Sequence, residues 1–147
     1  PTLEEQERRL VLARFDEATA ITLGLALVDM ARQANLPIVI DIRTADRTLF
    51  HAAMPGATPL NDNWARRKSN SALMWQASSL LVGKRLAAKG DTPGANGLSE
   101  ADYAIHGGSV PIRVAGVGVV AAVTVSGLPS VEDHALVVRA IETLMQA

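Results

Sequence analysis

Val117-Gly-Val-Val-Ala-Ala-Val-Thr-Val-Ser126 is the stretch whose reading decides the fold. Apolar side chains stand at both odd and even positions, the pattern of a central strand covered on both faces. Upstream, Val110 to Val114 reads as a partner strand, with Gly116 allowing the tight turn between them. Downstream, Gly127-Leu-Pro129 is a turn, and Glu132 to Met145 is a closing helix with Leu136, Ala140, Ile141 and Leu144 at core spacing.

A second hairpin lies earlier. In Pro37-Ile-Val-Ile-Asp-Ile-Arg43, residues Ile38, Ile40 and Ile42 fall on one face and Val39, Asp41 and Arg43 on the other. Thr44-Ala-Asp-Arg47 is the turn and Leu49 to Met54 the returning strand. Before it, Asp16 caps a helix whose stripe is Ile21, Leu25 and Val28, widened by Leu27 and Met30. Leu3 to Leu12 reads as a short amphipathic helix. Between the hairpins, Asn61-Asp-Asn63 offers caps for a helix from about Trp64 to Val82, broken near Gly83 and resuming to Ala88. Asp91 to Gly97 is a loop, and Ser99-Glu-Ala-Asp102 opens a short helix. Hairpin-length connections predict an antiparallel sheet, and helices before, between and after the strands predict an α+β fold in which they cover it. Residues 1–14 are expected as an N-terminal helical arm and residues 15–147 as a single domain.

Composition excludes several classes. Fourteen Lys and Arg against 15 Asp and Glu leave a formal charge of −1, so binding to nucleic acid through bulk charge is not expected. With no Cys there are no disulfides, thiolate metal sites or Cys nucleophiles. His51, His106 and His134 are far apart in sequence and form no metal-binding motif. Pro1 to Glu7 lacks the basic start and apolar run of a secretory signal. No apolar run approaches the ~20 residues of a membrane span, so a cytoplasmic protein without a membrane partner is expected.

Four groups of residues could carry chemistry. In Asn61-Asp-Asn-Trp-Ala-Arg-Arg-Lys68, a helix start that attracts anions precedes three cations. Asn63 and Arg67 share one side of that helix. Lys68 shares another with Trp64 and Trp75, so it reaches solvent or meets an acid or ligand. In His106-Gly107-Gly108-Ser109, paired glycines let backbone approach a ligand, and their N–H groups can form an anion nest. Asp41 and Arg43 share a strand face, and the hairpin brings His51 toward them. Ser126 with Asp133-His134 suggests a triad only superficially: adjacent helical residues point about 100° apart, and Ser126 lacks the nucleophile-elbow pattern. Capping fits Ser130 and Asp133 better.

Gly107-Gly-Ser-Val-Pro-Ile112, Gly118 to Gly127 and Glu132-Asp-His134, in that order, resemble the GlcG/HbpS-like family, also called haem-degrading-domain-like. Pro37–Arg43, Leu49-Phe-His51, Asn61-Asp-Asn-Trp64 and Arg66-Arg-Lys68 resemble an uncharacterised branch of it. The resemblance implies a profilin-like fold, a five-stranded antiparallel sheet with helices packed on it. It also implies a homo-oligomer, dimer or larger, and names haem as a cofactor on family grounds alone. Gly107, Gly108, Pro111, Ser126 and Gly127 carry over residue by residue.

The resulting expectation is a non-catalytic oligomeric protein that binds a small anionic or tetrapyrrole ligand. Its pocket would combine Arg43, His51, Asn63, Arg67, Lys68, His106, Gly107, Gly108 and Ser109. Arg and Lys would pair with carboxylates and backbone N–H groups would add charge-assisted bonds. The alternatives are an enzyme using His51 or His106 as general base, and an adaptor assembly anchored by Trp64 or Trp75. A mean hydropathy of +0.17 and the Ser- and Ala-rich stretch Ser69 to Ser79 favour self-association.

Overall fold

The computed structural model describes residues 2–146. Its elements run α1 (Leu3–Arg9), β1 (Val11–Leu12), α2 (Glu17–Ala34), β2 (Val39–Arg43), β3 (Thr48–Ala53), α3 (Pro59–Trp75), α4 (Ser79–Lys89), β4 (Ser109–Val114), β5 (Gly118–Ser126) and α5 (Ser130–Gln146). A single 3₁₀ turn, Gly94–Asn96, lies in the loop after α4. The sheet order is β1-β4-β5-β2-β3, so the doubly apolar strand is the middle one, as its pattern requires. The hairpin register pairs Asp41 with His51.

The α+β architecture matches the expectation, but the sheet is mixed rather than wholly antiparallel. Val11–Leu12 pairs in parallel with Arg113–Val114 of β4. A strand of two residues has no readable period, and its charged surroundings read as helix. The first helix therefore stops at Arg9 instead of continuing to Leu12, and Leu10 and Leu12 enter the core.

One sheet face is apolar. Ile40, Ile42, Val110, Ile112, Val123 and Val125 pack there against α2 and α5, where Leu23, Leu27, Leu136, Val137 and Ile141 are buried. Each such Leu or Ile stabilises the fold by about 1.5–3 kcal/mol. Of the stripe expected on α2, Leu27 is buried and Val28 and Met30 pack against the core, but Ile21 and Leu25 do not. Ile21 and Leu25 are 49% and 56% exposed, while Ala20, Leu23, Gly24, Leu27 and Ala31 face inward. The helix is apolar on several sides, so hydropathy alone did not choose the face. Small residues did: a Cβ at Gly24 would overlap the Phe50 ring of β3.

The other face is covered by α3 and is keyed by hydroxyls. The Thr124 hydroxyl donates to Ser109 Oγ at 2.8 Å and lies 2.8 Å from Ser69 Oγ of α3. The Ser109 N–H donates to Ser79 Oγ of α4 at 3.1 Å. The helical region itself differs from the expectation. α3 starts at Pro59 through a capping box between Thr58 and Asn61, a full turn before Trp64. It ends at Gln76, which takes a left-handed conformation (φ 54°), and Ser78 caps α4. Gly83 is not a break but lies inside α4, where a Cβ would run into the Ile105 carbonyl. Ser99–Asp102 forms one turn rather than a helix, closed by Ser99 Oγ accepting from the Ala101 N–H at 3.1 Å.

Candidate functional site

Asn61, Trp64 and Lys68 recur at helical spacing and so share one face of α3. With His106, the turn Ser126–Pro129, Ser130 and Asp133 they line a cleft of about 310 Å³. The end of β5 supplies the turn, and the first turn of α5 supplies Ser130 and Asp133. Trp64 forms the aromatic wall. His106 meets it edge-on, with centroids 5.1 Å apart, and the Arg67 guanidinium lies 4.5 Å over its ring.

Lys68 and Asp133 are the charged heart of this cleft. Their side chains are 5% and 1% exposed, and Nζ donates to Asp133 Oδ2 at 3.1 Å. A longer bond runs from Nζ to the Val125 carbonyl at 3.5 Å. Asp133 Oδ1 accepts the Leu128 N–H at 2.9 Å, which ties α5 to the turn in front of it. Burial dominates both titrations. It pulls the Lys68 ammonium below its ordinary range against the attraction of Asp133, and pushes the Asp133 carboxyl up against the pull of Lys68.

The glycine pair serves this arrangement. Gly108 has φ +139° and lies so close that a Cβ would meet the Val125 carbonyl, come within 2.9 Å of Lys68 Nζ and within 3.2 Å of Asp133 Cβ. A Cβ at Gly107 would crowd the Ser130 carbonyl. Close backbone approach accounts for a glycine at both positions.

The remaining expected residues go elsewhere. Arg67 donates from Nε and a terminal nitrogen to the Glu100 carbonyl at 3.0 and 2.6 Å, so both its stacking and its bonds hold the 99–102 turn. Asn63 is exposed and accepts from Arg66, which also pairs with Asp102 at 3.0 Å. Ser109 belongs to the buried hydroxyl chain. Arg43 and His51 form a second cluster around Asp41, whose carboxylate is fully buried. Arg43 donates to it twice, at 2.6 and 2.7 Å, and His51 Nδ1 lies 2.8 Å away. These bonds hold the Arg43 guanidinium still more firmly charged. His51 Nε2 lies 2.8 Å from Asp62 on α3, so the cluster ties hairpin to helix. Of the expected residues, Lys68 and His106 line the cleft; Gly107 and Gly108 pack behind it against Ser130 and Lys68, Arg67 stacks on its Trp64 wall, and Arg43, His51, Asn63 and Ser109 do not line it.

Sequence reasoning left Trp64, Asn61 and Asp133 outside the expected pocket. A signal for Asp133 was present: a lysine in an apolar stripe requires an acid, and an acid in the first turn of α5 was available. His134 is also buried, with Nε2 at 2.7 Å from Gln6 Oε1 of α1 and Nδ1 without a partner among the described residues. Burial pulls its imidazole below the ordinary histidine range.

A mixed five-stranded sheet with an apolar layer on one face, and a charged cleft where α3 meets α5, defines the class of this protein as a single-sheet α+β domain with a small-molecule-sized recess. The chain belongs to the HbpS-like family, described as "Haem degrading protein HbpS-like", whose model matches residues 15–142. It is 55% identical over 141 residues to a UPF0303 protein of Streptomyces coelicolor, covering 95% of this chain and 89% of the relative. A UPF0303 protein of Rhizobium etli is 47% identical over 143 residues, covering 97% and 87%. Among solved structures, the Ybr137w protein superposes with a TM-score of 0.89 at 29% identity, covering 98% of this chain and 86% of that one. The PduOC:Heme complex shares the fold, with a TM-score of 0.73 at 20% identity over 90% and 94% of the two chains. No helix among the described residues is long and apolar enough to cross a membrane.

Proposed function

We propose that this protein binds a small anionic ligand in the Trp64–Lys68–His106 cleft. The observation that carries the reading is Lys68, a cation 4% exposed that lines an aromatic-walled recess. Its ammonium has three donors, and Asp133 and the Val125 carbonyl take two. α5 starts at Ser130 on the cleft wall, and a helix start favours negative charge. An arriving carboxylate competes with Asp133 for Lys68. Because burial already raises the Asp133 pKa, the displaced acid takes up a proton as the ligand enters.

Haem is the second ligand to test, because the family description and a structural neighbour both name it. His106 is the imidazole at this cleft. A volume of about 310 Å³ lies at the low end of ligand pockets and its floor is a charge pair, which fits a tetrapyrrole poorly. The small anion is therefore the better reading. A homo-oligomer, dimer or larger, agrees with the exposed Ile21 and Leu25 one turn apart on α2 and with the open outer edge of β3; light scattering of the purified protein tests it.

The ligand test is fluorescence titration with propionate or benzoate, read through Trp64, alongside hemin read by its absorbance. Binding of the carboxylates is expected in the wild type and its loss in the Lys68→Met/Asp133→Asn double variant. Undiminished carboxylate affinity in that variant would overturn the site, and tight, stoichiometric hemin binding without carboxylate binding would replace the small anion with haem.

A further inference from the structure

Nothing in anion binding alone calls for a lysine that is both buried and held against a single carboxylate. An exposed arginine would bind an anion without desolvation. What a buried lysine offers, and an arginine does not, is access to the free amine, which is a nucleophile. Lys68 has the surroundings for this. It lines the cleft beside Trp64, its nitrogen is 3.1 Å from Asp133 Oδ2, and its remaining donor direction has no acceptor among the described residues. Gly108 packs its backbone against the nitrogen, where any Cβ would come within 2.9 Å of it.

From this geometry we propose that Lys68 captures small carbonyl compounds, aldehydes or 2-oxo acids, as an imine on Nζ, with Asp133 carrying the protons. The inference rests on the cleft being the ligand site.

The step balances within the pair. The Lys68 ammonium passes a proton to the Asp133 carboxylate, leaving a free amine and a carboxylic acid. The nitrogen lone pair attacks the carbonyl carbon, a C–N bond forms, and the carbonyl π pair moves to oxygen, which takes the proton from Asp133. The nitrogen returns a proton to Asp133. That proton then goes to the hydroxyl, which leaves as water while the nitrogen lone pair forms the C=N bond. The protonated imine replaces the ammonium opposite the regenerated Asp133 carboxylate, so the buried charge balance is unchanged. No oxidant or reductant is needed. The lowered basicity of Lys68 supports the first transfer, because an exposed lysine near its usual pKa of about 10.4 is almost wholly protonated at neutral pH.

The sequence makes the test clean, since Lys68, Lys84 and Lys89 are the lysines of the chain. The whole protein is incubated at neutral pH with pyruvate or propanal and cyanoborohydride, which reduces an imine to a stable amine, and labelled sites are mapped by mass spectrometry. Labelling of Lys68 is expected to be roughly 10–100-fold faster than of Lys84 or Lys89, and Asp133→Asn is expected to slow it by about 10²-fold or more. In the wild type, propionate should protect Lys68 while leaving Lys84 and Lys89 unaffected. Equal or slower labelling of Lys68 relative to the exposed lysines overturns the proposal, whether or not the variants fold. If propionate binds in the cleft yet Lys68 stays unlabelled, imine formation fails and anion binding stands; if propionate does not bind either, the cleft reading fails with it.

Discussion

Replacing Lys68 with Met, Asp133 with Asn, and both together separates a coupled buried pair from two independent residues. The side chains are 5% and 1% exposed and 3.1 Å apart. Lys68→Met keeps the length of the side chain but leaves the Asp133 carboxylate with backbone N–H donors alone. Asp133→Asn keeps the acceptor for the Leu128 N–H but leaves the Lys68 ammonium without its counter-charge. Removing one partner of a buried pair costs about 3–5 kcal/mol, whereas removing both is close to neutral. At about 2–4 °C per kcal/mol for a domain near this size, each single variant should melt roughly 6–20 °C below the wild type. The double variant should recover most of that loss, so the coupling approaches the two single losses together, roughly 6–10 kcal/mol. Urea unfolding followed by circular dichroism measures all four proteins. The loss in Lys68→Met should also shrink on acidification. Burial raises the folded-state pKa of Asp133 above its unfolded value of 3.8, so the folded protein gains the proton first and stability improves as pH falls toward that value. Two single variants each within about 1 kcal/mol of wild type, or a double variant as unstable as the sum, would refute the coupling.

Gly108→Ala should cost about 2–5 kcal/mol, from a backbone at φ +139° and from overpacking against Val125 and Asp133; its urea midpoint checks this. His134 predicts an acid limb. Its folded-state pKa is lowered, so the unfolded chain binds the proton first and stability falls as pH drops below about 6.5. Comparing unfolding free energies at neutral and mildly acidic pH should show a smaller slope in His134→Gln. Asp41→Asn should cost roughly 3 kcal/mol, because Arg43 loses its buried counter-charge and one of its two acceptor oxygens; thermal melting reads it.

The hairpin that pairs Asp41 with His51 was legible because a period of two residues is visible over a few positions. The central place of β5 was legible because its apolar run had no polar face. The two-residue β1 carried too little pattern to be seen, and it changed the sheet from antiparallel to mixed. The face of α2 was misjudged because Ile21 and Leu25 are as apolar as Leu23 and Leu27, and the deciding fact, Phe50 against Gly24, is a tertiary one. The break at Gln76 followed the same rule: nothing in its chemistry demands a left-handed backbone, whereas Gly83 advertised a break that packing against Ile105 explains otherwise. For the site, Lys68 stood out by lying in line with two tryptophans. Its acid could not be identified from spacing, because the bond to Asp133 joins residues 65 positions apart. The grip of Arg67 on the Glu100 carbonyl could not be read either, because that turn lies 33 positions away.

The hydroxyl chain from Ser69 through Thr124 to Ser109 gives the sheet two unlike sides. Grease forgives a sliding neighbour, since one methyl is as good as the next. Hydroxyls in the dark do not, because a shift of one residue would part Ser69 from Thr124 and set an apolar neighbour against a buried hydroxyl. α3 therefore has one seat on the sheet, and the lysine it carries arrives opposite the start of α5 on every occasion the chain folds.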